Sequence, residues 1–162
     1  MSKSHRIAVR RSPIHGNGVF AAQEIPAGVE LVEYQGKRLT HAQADRRYAG
    51  NAETGHTFLF TLNEQYVIDA NQDGNAARWI NHSCDPNCQA FLIEHEGRDR
   101  RLDRVVIESL RPLKAGEELA YNYAITLDER HTPRLKKLWA CRCGAANCTG
   151  TMLNTKPKRS RR

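Results

Sequence analysis

Three thiols within eight residues, Cys141, Cys143 and Cys148 of "CRCGAANC", constrain this 162-residue chain more than any other feature. Five cysteines in a chain without a secretory leader argue against a disulfide framework and for metal or catalysis. A tetrahedral structural metal such as zinc needs a fourth ligand, and the neighbouring sequence offers none. The fourth must come from about sixty positions earlier, where "NHSCDPNC" (81–88) carries His82, Cys84 and Cys88. Any fold that satisfies the thiols therefore lays the C-terminal segment on that octapeptide. Pro86 prevents the octapeptide from being a helix or a central strand.

The local patterns describe short elements. "SPIHGNGVFAAQEIPAGVELVEYQGKRL" (12–39) alternates β-type runs with Gly and Pro, which predicts turns and short strands. Thr40 and Gln43 form a capping box before "HAQADRRYA", with Gly50 as the stop, and predict one short helix. "HTFLFTLNEQYVIDA" (56–70) reads as a hairpin turning at Asn63 and Glu64, "NAARWI" as a helical turn, and residues 90–110 as two strands around a polar loop. "IPAGVEL" (25–31) and "LKAGEEL" (113–119) echo one another as turn-then-strand segments. The chain is mainly β, with one core.

The net charge of +7 is unevenly placed. Lys3, Arg6, Arg10 and Arg11 open the chain, and Lys156, Lys158, Arg159, Arg161 and Arg162 close it; removing those nine from 25 leaves 16 basic against 18 acidic residues. The basic character belongs to the ends, which could contact nucleic acid weakly through phosphate and otherwise read as solvated tails. No run of 18 apolar residues and no secretory signal is present, so we expect a soluble intracellular protein with no membrane partner.

"GNGVFA" (16–21) satisfies G-x-G-x-x-A, but "RRSPIH" precedes it and Pro26 and Gly28 soon follow, which excludes the strand and helix that a dinucleotide site needs. The glycines instead let a backbone come close to a ligand or another strand. Tyr121 and Tyr123 of "GEELAYNY" alternate onto one strand face, which by itself is ordinary core.

Taken in order, "HGNGVF", "EYQG", "DGNAARWINHSCDPNC", "GEELAYNY" and "CRCGAANCTGTML" resemble the SET domain and post-SET segment of trithorax-type protein lysine methyltransferases. The resemblance covers about residues 5–153, and implies a SET domain at 5–125, a post-SET zinc segment at 137–153 and a basic disordered tail at 154–162. It implies a β-clip fold of several small sheets with a C-terminal pseudoknot, an exception to the unthreaded rule. It further implies S-adenosylmethionine as methyl donor, contacted by His15, Asn17, Gly18, Asn81, His82, Tyr123, Arg142 and Met152, and structural zinc on Cys84, Cys141, Cys143 and Cys148. Cys88 is then a thiol without metal. Tyr123 matches the catalytic tyrosine, Tyr121 the position that tunes methyl number, and Tyr34 lines the lysine channel.

A tyrosine at 121 goes with mono- or dimethylation in the family, and monomethylation is the expectation. Phe58 stands where relatives commonly carry a second active-site tyrosine, which bears on substrate positioning. The cysteine-rich pre-SET region is missing, a form frequent in bacteria. The expected substrate is a protein with an exposed lysine in a basic segment, histone or histone-like, with Lys156 or Lys158 of the chain's own tail as further candidates. The location is cytoplasm in a bacterium and nucleus or chromatin in a eukaryote. The competing reading is a zinc-stabilised SET-fold binding module, with weak or no catalysis, that contacts nucleic acid through basic tails.

Overall fold

A computed structural model of the chain describes residues 6–48, 58–123, 125 and 130–153. Gly50 and the basic tail with Lys156 and Lys158 lie outside the described residues.

Among the described residues, four small sheets carry the fold. Strands β1 (Ile7–Arg11) and β2 (Asn17–Ala21) form an antiparallel hairpin. β3 (Glu30–Glu33), β8 (Cys88–Ile93) and β9 (Arg104–Ser109) form a second sheet with β9 in the middle. Val105, Val106 and Ile107 of β9 are all buried, as a strand covered on both faces requires. β4 (Lys37–Thr40), β5 (Leu59–Thr61) and β6 (Tyr66–Asp69) form the third sheet, with β6 central. The expected hairpin turn lies at 62–65, where Asn63 Oδ1 accepts from the N–H groups of Gln65 and Tyr66, both at 2.9 Å.

Between β4 and β5, helix α1 (His41–Arg47) starts at the capping box predicted for it. Thr40 Oγ1 accepts from Gln43 N–H at 3.1 Å and Gln43 Oε1 accepts from Thr40 N–H at 2.8 Å, so two otherwise orphaned donors are satisfied. Ala44 then faces Leu39 and Val67. "AARW" (Ala76–Trp79) is a 3-10 turn capped by Asn75.

The internal echo has a structural counterpart. Ile25 and Leu113 pair as an antiparallel bridge, each N–H donating to the other's carbonyl at 3.0 and 2.8 Å. Gly28 and Gly116 then turn the chain with φ of 76° and 88°, a region that an L side chain rarely adopts.

The fourth sheet sets up the site. β7 (Asn81–His82) and β10 (Ala120–Tyr121) pair in parallel, with Asn81 opposite Ala120 and His82 opposite Tyr121. The strand expected to run through Tyr123 ends at Tyr121, because the backbone N–H of Tyr123 turns to a side chain instead. A second helix, α2 (Pro133–Leu138), is capped by Thr132 and packs Leu135 against Trp139 and Leu153. Met152 N–H donates to Trp139 O at 2.8 Å, which folds the C-terminal segment back over the helix end.

Candidate active site

The parallel β7–β10 pair places the Asn-His dipeptide beside the tyrosines. Tyr123 N–H donates to His82 Nδ1 at 3.0 Å, and the two rings meet edge-on with centroids 5.3 Å apart. An N–H can only donate, so Nδ1 is the accepting nitrogen and the proton of the neutral ring sits on Nε2. Burial supports that state by pulling the imidazole down to about 4. Nε2 lies 3.7 Å from Cys84 Sγ, where it can donate to sulfur.

Tyr123 Oη donates to the Ile80 carbonyl, and Tyr34 Oη donates to the Phe58 carbonyl at 3.2 Å. The Tyr34 ring meets Phe60 at a tilt with centroids 4.9 Å apart, and Phe60 approaches Tyr121 at 6.2 Å; Tyr121 meets Tyr123 at 4.9 Å. Burial pushes the phenols of Tyr34, Tyr121 and Tyr123 well above the ordinary range, so all three are neutral hydroxyls. A dry aromatic wall of this kind suits an alkyl side chain whose amine must lose its charge.

Next to Tyr123 opens a cavity of about 270 Å³. His15, Asn17, Asn81, His82, Tyr123, Arg142 and Met152 line it, so seven of the eight residues expected around a methyl donor meet at one place. Gly18 is not among them. Its missing side chain has another explanation: a Cβ there would lie 2.3 Å from Glu118 Oε2 and 2.9 Å from Ser12 Cβ. What comes close to Gly18 is neither a ligand nor a strand backbone but the Glu118 side chain. Tyr34 and Tyr121 also lie off the cavity, in the aromatic wall behind Tyr123.

Most of the other cavity residues escape the sequence reading, Phe58 and Cys141 excepted. Phe58, Arg78 and Trp79 form one wall, with the Arg78 guanidinium 4.6 Å from the Trp79 ring centre and 5.5 Å from that of Phe58. Lys137, Leu138 and Trp139 from the end of α2 form another. The signal for α2 was present as Thr132 followed by Pro133, an N-cap and first-turn pair ahead of leucines three apart.

At the edge of the cavity the thiols of Cys84, Cys141, Cys143 and Cys148 converge, all within 4.8 Å of one another. Cys84 Sγ and Cys141 Sγ are 3.9 Å apart. Tetrahedral zinc with bonds of about 2.3 Å places sulfurs about 3.8 Å apart, so the spacing fits. Backbone N–H groups are aimed at the sulfurs: Cys84 N at Cys143, Cys143 N at Cys141 and Gly150 N at Cys148, at 3.4 to 3.5 Å. Such donors favour thiolate at Cys143, whose thiol is drawn down to about 6 although burial opposes the shift, while in the absence of a cation the neighbouring Cys141 and Cys148 thiols are shifted up. The donor set is compatible with a structural zinc site. Cys88 stays apart from it: buried in the main core at the start of β8, its thiol is pushed up to about 12 by burial.

The family model for the SET domain matches residues 16–124. The chain belongs to the SET-domain family. It is 41% identical over 143 residues to a Saccharomyces cerevisiae protein named histone-lysine N-methyltransferase, H3 lysine-4 specific, covering 86% of this chain and 12% of that protein. To the human histone-lysine N-methyltransferase 2B it is 38% identical over 145 residues, 88% of this chain and 5% of the relative. To the histone-lysine N-methyltransferase trithorax of Drosophila virilis it is 34% identical over 144 residues, 88% and 3%. The chain thus spans a small fraction of each relative's length. Among the described residues, no helix is long and apolar enough to cross a membrane.

Proposed function

We propose that this SET domain is an S-adenosylmethionine-dependent protein-lysine N-methyltransferase acting on a lysine in a basic, histone-like segment. The observation that carries the reading is the meeting of Asn81, His82 and Tyr123 at one cavity, with a wall of buried aromatic hydroxyls directly behind Tyr123. At about 270 Å³ the cavity lies just below the roughly 300–1,000 Å³ of small-molecule sites. Its lining combines polar groups at Asn81 and His15 with apolar ones at Trp139 and Met152. That mixture fits a nucleoside joined to an amino acid. We assign the donor to His15, Asn17, Asn81, His82, Tyr123, Arg142 and Met152, with Gly18 supporting from behind.

When bound, the donor supplies an electrophilic methyl group on a sulfonium. What this chain contributes is alignment and dryness. Alignment of reacting groups can supply roughly 7–11 kcal/mol of a barrier. Tyr34, Phe60, Tyr121 and Tyr123 would exclude water from the lysine and lower its pKa from about 10.4 by desolvation. Because the Tyr123 hydroxyl is neutral and donates to Ile80 O, its role is to orient the amine and shape the field at the transfer point. Zinc on Cys84, Cys141, Cys143 and Cys148 would hold Cys141 and Arg142 at the cavity wall and so couple metal to cofactor binding. Four free thiols gathered at one place suit a reducing, intracellular compartment.

The test is methyl transfer from labelled donor to histone H3 and other basic proteins. Transfer by the wild type that is lost in Tyr123→Phe supports the reading, and no transfer to any basic protein argues against it. Phe58 favours the second reading, a binding module with slow or absent catalysis, because it brings a ring but no hydroxyl to the cavity. Steeply salt-dependent nucleic-acid binding without methyl transfer would favour that module.

A further inference from the structure

Asn81 lines the cavity, and what it presents there depends on which way its amide is turned. The oxygen and nitrogen of an amide have nearly the same shape and opposite hydrogen-bonding character, so the neighbours decide. Three acceptors surround Asn81 Nδ2: the carbonyl of His15 at 3.2 Å, the carbonyl of Asn17 at 3.1 Å and Glu118 Oε2 at 2.9 Å. The carboxylate is the strongest of them, since a hydrogen bond to a charged group outweighs one to a carbonyl. No hydrogen bond among the described residues uses Asn81 Oδ1.

Glu118 is itself held. Ser12 Oγ lies 2.9 and 2.8 Å from its two carboxylate oxygens and accepts from Ile14 N–H at 2.9 Å. One hydroxyl thus ties the carboxylate to the loop that carries His15 and Asn17. Gly18 leaves the space the carboxylate occupies, because any Cβ would take its place. Four separate features, the serine, the glycine, the carboxylate and the amide, serve one orientation.

We propose that Glu118, tethered by Ser12, is a positioning residue of the cofactor site: it turns Asn81 so that the amide oxygen alone faces the ligand. The inference rests on the methyl-donor reading above and adds a ligand requirement to it. The group that meets Asn81 must be a hydrogen-bond donor. For a ligand with an amino-acid end, that group is the ammonium and not the carboxylate.

The experiment is isothermal titration with S-adenosylhomocysteine and with its analogue lacking the α-amino group. The proteins are the wild type, Glu118→Ala, Glu118→Gln and Ser12→Ala, each checked for zinc content and for melting temperature without ligand. The wild type should prefer S-adenosylhomocysteine over the analogue by roughly 10-fold or more, the size of one hydrogen bond to a charged group. Glu118→Ala should lose a measurable part of that preference, because only the His15 and Asn17 carbonyls then hold the Asn81 amide. Glu118→Gln should recover it, because the carboxamide oxygen still accepts from Asn81 while its NH2 donates to the Ser12 hydroxyl. Ser12→Ala leaves the carboxylate in place and should lie between wild type and Glu118→Ala, which keeps the proposal testable if Glu118→Ala does not fold. Equal discrimination by wild type and Glu118→Ala, or by wild type and Ser12→Ala, would overturn the inference while leaving the cofactor reading intact. A wild type that binds neither ligand would overturn the cofactor reading itself.

Discussion

The backbone N–H of Tyr123 donates to Nδ1 of His82 at 3.0 Å, a bond between residues 41 positions apart. It joins the two motifs of the site through one imidazole and defines which nitrogen of that ring carries the proton. The same contact turns the chain out of β10, so that the Tyr123 hydroxyl reaches the Ile80 carbonyl. Tyr123→Phe keeps the ring and loses the hydroxyl. We expect kcat for methyl transfer to fall about 10²–10³-fold, the scale seen when one well-placed polar group at a reaction centre is removed, with melting temperature little changed. Steady-state kinetics beside a thermal melt checks this, and an unchanged kcat would remove Tyr123 from the mechanism.

The thiols make a prediction that separates two cysteines four positions apart. Cys84→Ser should release zinc, because the remaining three sulfurs cannot complete a tetrahedron, and transfer activity should go with it. Cys88→Ser should keep one equivalent of zinc and lose only about 1–3 kcal/mol of stability through a buried hydroxyl. Metal analysis of both purified variants decides the matter. Zinc lost from Cys88→Ser would reverse the assignment.

Product number should respond to the aromatic wall. Tyr121 is buried with its ring 4.9 Å from Tyr123, so Tyr121→Phe removes a hydroxyl without removing the ring. The space and the lost hydrogen-bonding group should admit further methyl groups, moving the product from monomethyl towards di- and trimethyl lysine. Mass spectrometry of a peptide substrate reads the outcome directly.

Phe58 offers the complementary change. Its ring meets Trp79 edge-on at 5.2 Å and lines the cavity. Phe58→Tyr adds the hydroxyl that the family resemblance leads one to expect, and should raise the transfer rate several-fold. A rate equal to or below that of the wild type would mean that Tyr34, whose hydroxyl is bound to the Phe58 carbonyl, already fills the role.

Stability should weaken in acid through Asp69. Burial alone would raise its pKa, but hydrogen bonds from Tyr48, Gln72 and Asn71 outweigh it and hold the carboxyl below the usual aspartate range. A folded pKa below the unfolded one contributes stability above the unfolded value, about pH 4, that is lost as pH falls through the folded value. Asp69→Asn should therefore flatten the fall in the urea midpoint below about pH 4. An identical pH profile in the variant would rule Asp69 out as a source.

Local signals were legible because local chemistry produces them. Thr40 and Gln43 close a capping box within four residues, and Asn63 caps its own turn, so neither depends on the rest of the fold. Helix α2 carried an equally local signal in Thr132 and Pro133, yet its importance lies in where its end points. Lys137, Leu138 and Trp139 reach the cavity only because Leu135 and Trp139 pack on Leu153.

The long-range parts divide in the same way. Thiol arithmetic already required a partner for Cys141, Cys143 and Cys148 from the octapeptide at 81–88, since three sulfurs cannot complete a tetrahedral site. Spacing alone left the choice among His82, Cys84 and Cys88 open, the family resemblance named Cys84, and the geometry agrees with it: Cys88 begins a core strand against β9, whereas Cys84 lies beside the other thiols. Composition likewise allowed Gly18 to admit a ligand or a strand, and packing chose Glu118. Residue types and spacings state what chemistry a chain can perform, because they are properties of short segments. Which atoms face one another across a hundred positions is decided only when the strands pair and the core closes.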